Sequence, residues 1–234
     1  MSKQHKMQRL YTQEPLSSST LINLSDNQTH YLKNVMRLSL GDKIRLFNAE
    51  NGEWVCEITE LKKKSTSLKT LEQTRTPLKE KTELHLLFAP IKKQRLDFLI
   101  EKAIELGATH LHPVITEHTE NRKLKNERIQ AQIIEATEQS ERLSLAVIEK
   151  TMPLKEKIEA WNYNLPILWA AERQNANKIG INKRPCAFLV GPEGGFSETE
   201  IQYLSQHKNI KSISLGENIL RAETAALYCL SHTE

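Results

Sequence analysis

Long apolar runs are missing from this 234-residue sequence. None approaches the ~20 residues that a membrane-spanning helix needs, so no such helix is expected. The opening residues, Met1-Ser2-Lys3-Gln4-His5-Lys6, carry charge with no apolar segment behind it, which does not make a secretory signal. Cysteine is scarce. Cys56, Cys186 and Cys229 are odd in number, far apart, and include no Cys-x-x-Cys pair. That argues against a disulfide framework or a zinc knuckle, and the reading is a cytoplasmic protein with buried thiols. There is no internal repeat and no low-complexity tract. What remains is 38% hydrophobic and 26% charged, the balance of an ordinary globular chain. Its length suits one large domain, or a small one beside a medium one.

Charge is present and unevenly spread. The net charge is only +4. Between Leu61 and Arg95, however, ten basic residues face three acids, and Lys62-Lys63-Lys64 forms a run. A basic stripe suits nucleic acid, and equally a solvated face or a linker.

The rhythm of the chain changes once. Residues 1–73 read as short strands with one helix from Ser25 to Met36, ended by the Gly41-Asp42 turn, and with Asn51-Gly52 as a hairpin signal. A small β-barrel is expected there. Residues 74–82, polar and holding Pro77, read as a linker. From residue 83 to 234 strands alternate with helices. Strands are expected at Leu84–Phe88, Leu111–Ile115, Leu165–Ala170, Cys186–Val190 and Ile210–Leu215. Helical spacing runs from Lys93 to Leu106 and from Glu127 to about Glu141. This is the pattern of an α/β domain with a mostly parallel sheet covered on both faces.

Two stretches stand out chemically. Gly191-Pro192-Glu193-Gly194-Gly195-Phe196 follows a strand and precedes a capping-box helix start at Ser197. That junction is where open α/β sheets bind ligands. The loop is neither a P-loop nor a dinucleotide fingerprint. It carries a carboxylate and no cation, so it disfavours phosphate. It suits a ligand with hydroxyls, a neutral base and a positive centre, such as the sulfonium of S-adenosylmethionine. An unliganded glycine turn explains the same spacing. The second stretch, Leu215 to Ala226, places Arg221 at a strand-to-helix junction, where it can hold an anionic group or simply pair with Glu217 or Glu223.

Together these stretches resemble the 16S ribosomal RNA (uracil-N3)-methyltransferase family of the knotted SPOUT class. The resemblance extends upstream through Glu135-Ala136-Thr137-Glu138-Gln139-Ser140-Glu141-Arg142, through Glu101 to Ala108, through His30 to Arg37 with Gly41-Asp42, and through Arg9-Leu10-Tyr11. It covers nearly the whole chain, in order. The chain departs from the family pattern at Leu143 to Ile148, where a basic residue and a proline are usual, and at Ala170-Ala171-Glu172-Arg173, a more acidic loop.

The resemblance implies a PUA-like RNA-binding barrel followed by a SPOUT domain whose last segment threads a trefoil knot. It implies S-adenosylmethionine held by three loops, with Leu168, Trp169, Gly191, Pro192, Glu193, Gly194, Gly195, Leu215, Gly216, Ile219, Leu220 and Thr224 at the donor site. Arg221, Arg142 and Glu223 become the catalytic candidates, and Glu138 a further possible base. Arg9, Arg37, Lys62, Lys63 and Lys64 become the RNA grips, with Tyr11 and Tyr31 as stacking partners. The substrate implied is a uridine of 16S rRNA in the decoding region, within the 30S subunit. The alternative is a non-catalytic RNA-binding factor for ribosome assembly, which leaves the cation-free glycine loop unexplained.

A homodimer is also implied. The last helix, Ala222 to about Ser231, is apolar on more than one face, which calls for cover from a second subunit or from its own. His110 and His112 alternate on one strand, with His118 further on. No cysteine joins them and the carboxylate spacing completes no ligand set, so no metal is expected.

Overall fold

The computed structural model describes residues 7–77, 82–171 and 176–234. The chain divides into two compact units. The first is Met1–Lys81 with Thr137–Ser144, and the second is Thr82–Ala136 with Leu145–Glu234.

The N-terminal unit is a five-stranded sheet built from β1 (Arg9–Tyr11), β2 (Leu21–Asn23), β3 (Lys43–Asn48), β4 (Gly52–Leu61) and β5 (Thr66–Arg75). The strand order is β1-β3-β4-β5-β2, and only β1 and β3 run parallel. Three register shifts along β4 bend it against β5. The expected helix starts at Ser25, whose hydroxyl and Gln28 form a reciprocal capping box. It runs as α1 (Asp26–His30) and then loosens into one π-helical turn, Tyr31–Val35. Gly52 makes the hairpin with φ +77, and a Cβ there would lie 2.1 Å from the Arg75 carbonyl oxygen. Leu10, Leu32, Ile44, Leu46, Ile58 and Leu68 fill the core. β5 continues two residues into the stretch read as linker, and residues 78–81 of that stretch lie outside the described residues.

The C-terminal unit contains β6 (Leu84–Phe88), α2 (Lys93–Glu105), β7 (His110–Ile115), α3 (Asn126–Gln139), β8 (Val147–Ile148), β9 (Met152–Pro153), α4 (Leu154–Glu159), β10 (Ile167–Ala170), β11 (Asn177–Lys178), β12 (Cys186–Val190), α5 (Glu198–Gln206), β13 (Ile210–Ser214) and α6 (Ala222–Ser231). The last residues of α3 count with the N-terminal unit. The sheet order is β11-β13-β10-β12-β6-β7-β8, with β9 also on β7. Every pairing is parallel. β6 and β12 are buried along their whole length, as a sheet covered on both faces requires.

One face carries Leu86, Phe188, Ile100, Ile133 and Ala226. The other carries Leu87, Leu189, Trp161, Trp169 and Leu204. The apolar last helix finds much of its cover inside its own unit. α6 packs on α2 and β12, burying Ala225, Ala226, Cys229 and Leu230 and leaving Leu227 and Tyr228 half-buried. Beyond α6, the backbone of Asn182 and Arg184 hydrogen-bonds to that of His232 and Glu234. No helix among the described residues is long and apolar enough to cross a membrane.

Candidate active site

Parallel strands send all their C-terminal ends to one edge of the sheet, and loops gather there. β13, β10 and β12 are consecutive in the sheet, so their following loops lie side by side. The glycine loop leaves β12, Ala171 opens the loop after β10, and Leu215–Leu220 leaves β13. β12 and β13 are therefore separated by β10, about 10 Å in all, rather than being direct neighbours. Glu172 and Arg173, where the chain departs from the family pattern, lie outside the described residues.

The three glycines of the loop serve different ends. Gly195 turns the chain with φ +69, and the space where its Cβ would sit is open to 4 Å. A Cβ on Gly194 would meet that of His118 at 3.2 Å, and one on Gly191 would meet the Phe196 ring at 2.7 Å. The Gly195 N–H closes the turn on the Pro192 carbonyl at 3.0 Å. Phe196 folds back onto the sheet, its ring edge-on to Trp169 at 5.8 Å.

That contact corrects one expectation. Trp169 is 2% exposed and packs beneath the glycine loop, so its side chain presents no open face there. Its neighbour Leu168 points to the opposite face of the sheet, among the residues under α2 and α6. On the β13 loop, Gly216 has φ +115 with open space beside it. Leu215 and Leu220 pack on the core, and Ile219 is 59% exposed. Arg221 is the exposed N-cap residue of α6, with Thr224 exposed one turn on.

Two residues that local sequence patterns did not reveal hold these stretches together. Arg95, in the first turn of α2, lies 3.5 Å from Glu193 and 3.7 Å from Glu223, joining the glycine loop to the start of α6. Cations in a helix's first turn oppose its dipole, and here the acid partners of Arg95 come from other segments. Arg95 also meets the Glu193 charge, so the glycine loop has a cation beside it that its own residues do not supply. Glu223 is buried, and its Oε2 has no partner among the described residues. The second residue is His118, whose Nδ1–H donates to the carbonyls of Gly194 and Gly195 at 3.0 and 3.2 Å. Glu200 reinforces this clamp by accepting from the N–H groups of Glu117 and Ser197.

The N-terminal unit overturns a different expectation. Arg9 is 3% exposed, so it has no free face to grip RNA. Its Nε donates to Glu53 Oε2 at 2.6 Å, its Nη atoms donate to the Thr137 and Arg142 carbonyls, and its guanidinium lies 3.4 Å over the Phe47 ring. Arg45 completes the cluster, reaching Glu53 at 3.3 Å and Glu141 at 2.8 Å. Burial pushes the Glu53 carboxyl up, but Arg9, Arg45 and Thr74 more than reverse this and hold it below the usual carboxylate range. Glu138 accepts the Tyr11 N–H at 2.9 Å, a structural duty for a residue weighed as a base. Arg142 lies in the same 137–144 segment of the N-terminal unit. The remaining expected grips are on the surface. Lys62, Lys63 and Lys64 sit on the exposed β4–β5 hairpin, and Arg37 is exposed in the left-handed region at φ 55.

The residues at the loop edge fit a sulfonium donor. There is open space beside two glycines, a carboxylate in the glycine loop, and an unpartnered buried acceptor on Glu223. The three thiols are buried and out of play, pushed up to about 12, 11 and 12 for Cys56, Cys186 and Cys229.

Fold and sequence define the class. The RNA methyltransferase domain family matches residues 78–234, and the RNA methyltransferase PUA domain family matches residues 24–71. The chain is 38% identical to the ribosomal RNA small subunit methyltransferase E of Rickettsia conorii, over 97% of this chain and 94% of that one. Among solved structures, the ribosomal RNA small subunit methyltransferase E of Neisseria gonorrhoeae bound to S-adenosyl methionine superposes with a TM-score of 0.85 at 28% identity, over 96% of each chain. A putative methyltransferase from Legionella pneumophila in complex with the same cofactor gives 0.85 at 27% identity, over 97% of this chain and 96% of that one. The chain belongs to the ribosomal RNA small subunit methyltransferase E family.

Proposed function

We propose that this protein methylates N3 of one uridine in 16S rRNA, on the 30S subunit near the decoding region, with S-adenosylmethionine as donor. The observation that carries the reading is the likeness, end to end, to a family member bound to that donor. The bound donor supplies an electrophilic methyl group on a sulfonium. The glycine loop, the Leu215–Leu220 loop and Thr224 hold it, with Trp169 bracing Phe196 beneath. The Glu223 Oε2 offers a buried acceptor to the donor or to the base.

Uracil N3 must shed its proton before or during attack, and the negative charge then spreads over O2 and O4. Arg221 is the guanidinium assigned to that charge. N3 forms the new bond to carbon as the carbon–sulfur bond breaks, and the proton leaves to water or a carboxylate. The displacement requires three atoms in line, so positioning dominates, and the transfer itself uses no metal. Arg37 and Lys62-Lys63-Lys64 grip RNA backbone, orienting without reading sequence.

The trefoil threading and a homodimer belong to the same reading. Phe98, 45% exposed on α2, and the half-exposed Leu227 and Tyr228 on α6 supply apolar surface for a partner copy. Light scattering of the purified chain should give twice the monomer mass, and a monomer at micromolar concentration would remove the dimer. The function is tested with tritiated donor and 30S particles that lack their methylations. Label should enter the rRNA, and Arg221→Ala should slow transfer more than it weakens RNA binding. RNA binding with no transfer at all would favour an assembly factor instead.

A further inference from the structure

At the other end of the sheet from the glycine loop lies a cluster that methyl transfer does not use. His85 on β6 and His110 on β7 are register partners, so their side chains share a face. Their rings stack at 4.4 Å, inclined by 17°. Glu83 precedes His85 by two residues, and its carboxylate Oε2 lies 3.1 Å from His85 Nε2. One ligand atom from each of Glu83, His85 and His110 can be chosen so that all lie within 4.8 Å of one another. We propose that these three residues bind a divalent transition-metal ion of the zinc type, which staples β6 to β7 and is separate from the donor site.

The donor set is right for that ion. Two imidazoles and one carboxylate, with water in a fourth position, are a recurrent zinc environment, whereas calcium and magnesium prefer oxygen ligands alone. A tetrahedral ion needs ligand atoms about 3.4 Å apart, which modest rotation of the partly exposed Glu83 and His110 side chains supplies. The outer shell is already built. His85 Nδ1 meets His112 Nε2 at 3.0 Å, and His110 Nδ1 meets Thr109 Oγ1 at 2.9 Å. Such contacts on the non-ligating nitrogen fix the ring and tautomer of metal-bound histidines. When His85 donates its Nδ1–H to His112, its Nε2 lone pair faces a carboxylate oxygen. Those two atoms repel unless a proton or cation lies between them.

Access and surroundings agree. The Glu83 side chain is 41% exposed, giving an entry path, while His85 is fully buried. Tyr163 and Trp161 wall the cluster, with ring centroids 4.3 and 5.5 Å from that of His85. The charged groups nearby are Lys157, which acts against a cation, and Glu149, which offsets Lys157.

The test uses the full chain, stripped with chelator and titrated with zinc chloride by calorimetry, with cobalt(II) absorption as a second reading. Wild type should take up a single ion per chain and melt at a higher temperature with it. Glu83→Gln and His110→Asn should each weaken uptake at least tenfold while keeping donor affinity and circular dichroism. His112→Gln keeps all three ligands and should still weaken uptake about tenfold, as outer-shell losses do. His207→Asn, a surface control, should change nothing. Absence of saturable uptake by folded wild type, or uptake that survives both ligand substitutions, would overturn the proposal.

Discussion

The two units differ in their most deeply buried polar clusters. The N-terminal unit encloses full charges, with Glu53 between Arg9 and Arg45, all 5% exposed or less. The C-terminal unit encloses imidazoles, with His85 and His112 at 0%. Burial lowers both histidines, so they stand neutral, His112 pushed down to about 2 with help from Lys157, His85 and His110. Charge that is buried must be answered by charge, which ties distant segments into one arrangement. Neutral imidazoles need only hydrogen bonds, and they keep lone pairs for other uses. A basic residue beside an aromatic in sequence, such as Arg9 near Tyr11, can therefore be structural, because its acid partner is 44 residues away.

The largest effect expected from this contrast is at Glu53. Glu53→Ala leaves two buried guanidiniums facing each other and should destabilise the N-terminal unit by about 3–5 kcal/mol. Urea unfolding followed by the fluorescence of Trp54, the tryptophan of that unit, measures it, while calorimetric donor affinity should stay near wild type. A loss of donor binding in the folded variant would break the separation of the two roles.

Next comes Gly195→Val, which should leave the charge cluster intact. A branched side chain at φ +69 is strained and enters the open space beside the loop. Donor affinity should fall at least a hundredfold, about 2.7 kcal/mol. Unchanged calorimetric affinity in a folded variant removes the glycine loop from the donor site.

Acid should then distinguish the units by pH, in chelator-treated protein. His85 and His112 bind protons less readily folded than unfolded. Their contribution to stability is complete above the unfolded histidine value of about 6.5 and is lost as pH falls below it. The Glu53 carboxyl is also depressed, so its contribution is complete above about 4.3 and is lost only as pH falls through its folded value. Thermal melts stepped from pH 7 to pH 4 should show the C-terminal unit weakening first. The reverse order would contradict the assignment of charge states.

The smallest effect is at the exposed hairpin. Lys63→Ala should weaken RNA binding slightly and lower the slope of log affinity against log salt by about 1, with no change in stability. Arg9→Ala should behave differently, costing stability without a matching change in that slope.

Much of the architecture was legible because it is written in short-range patterns. The alternation of strands and helices after residue 83, the capping boxes at Ser25 and Ser197, and the turn at Asn51-Gly52 are all local chemistry. The two-residue strands β8, β9 and β11 and the short α4 carry too few side chains to show a period. At the candidate site, the glycine loop and the Leu215–Leu220 loop were legible as motifs. Arg95 and His118 were not, because each meets its partners across about 75 to 130 residues, where only the order of strands in the sheet decides proximity. His85 was missed for the same reason: one histidine on β6 means little until β7 brings two more beside it.

Mapping the product of methyl transfer decides the proposed function. Small ribosomal subunits lacking their methylations would be incubated with the full-length protein and isotopically labelled S-adenosylmethionine, and the 16S rRNA digested for mass spectrometry. A single labelled nucleoside, 3-methyluridine, is expected in a decoding-region fragment. Label on another base, on ribose, or only on ribosomal protein would contradict the proposed function.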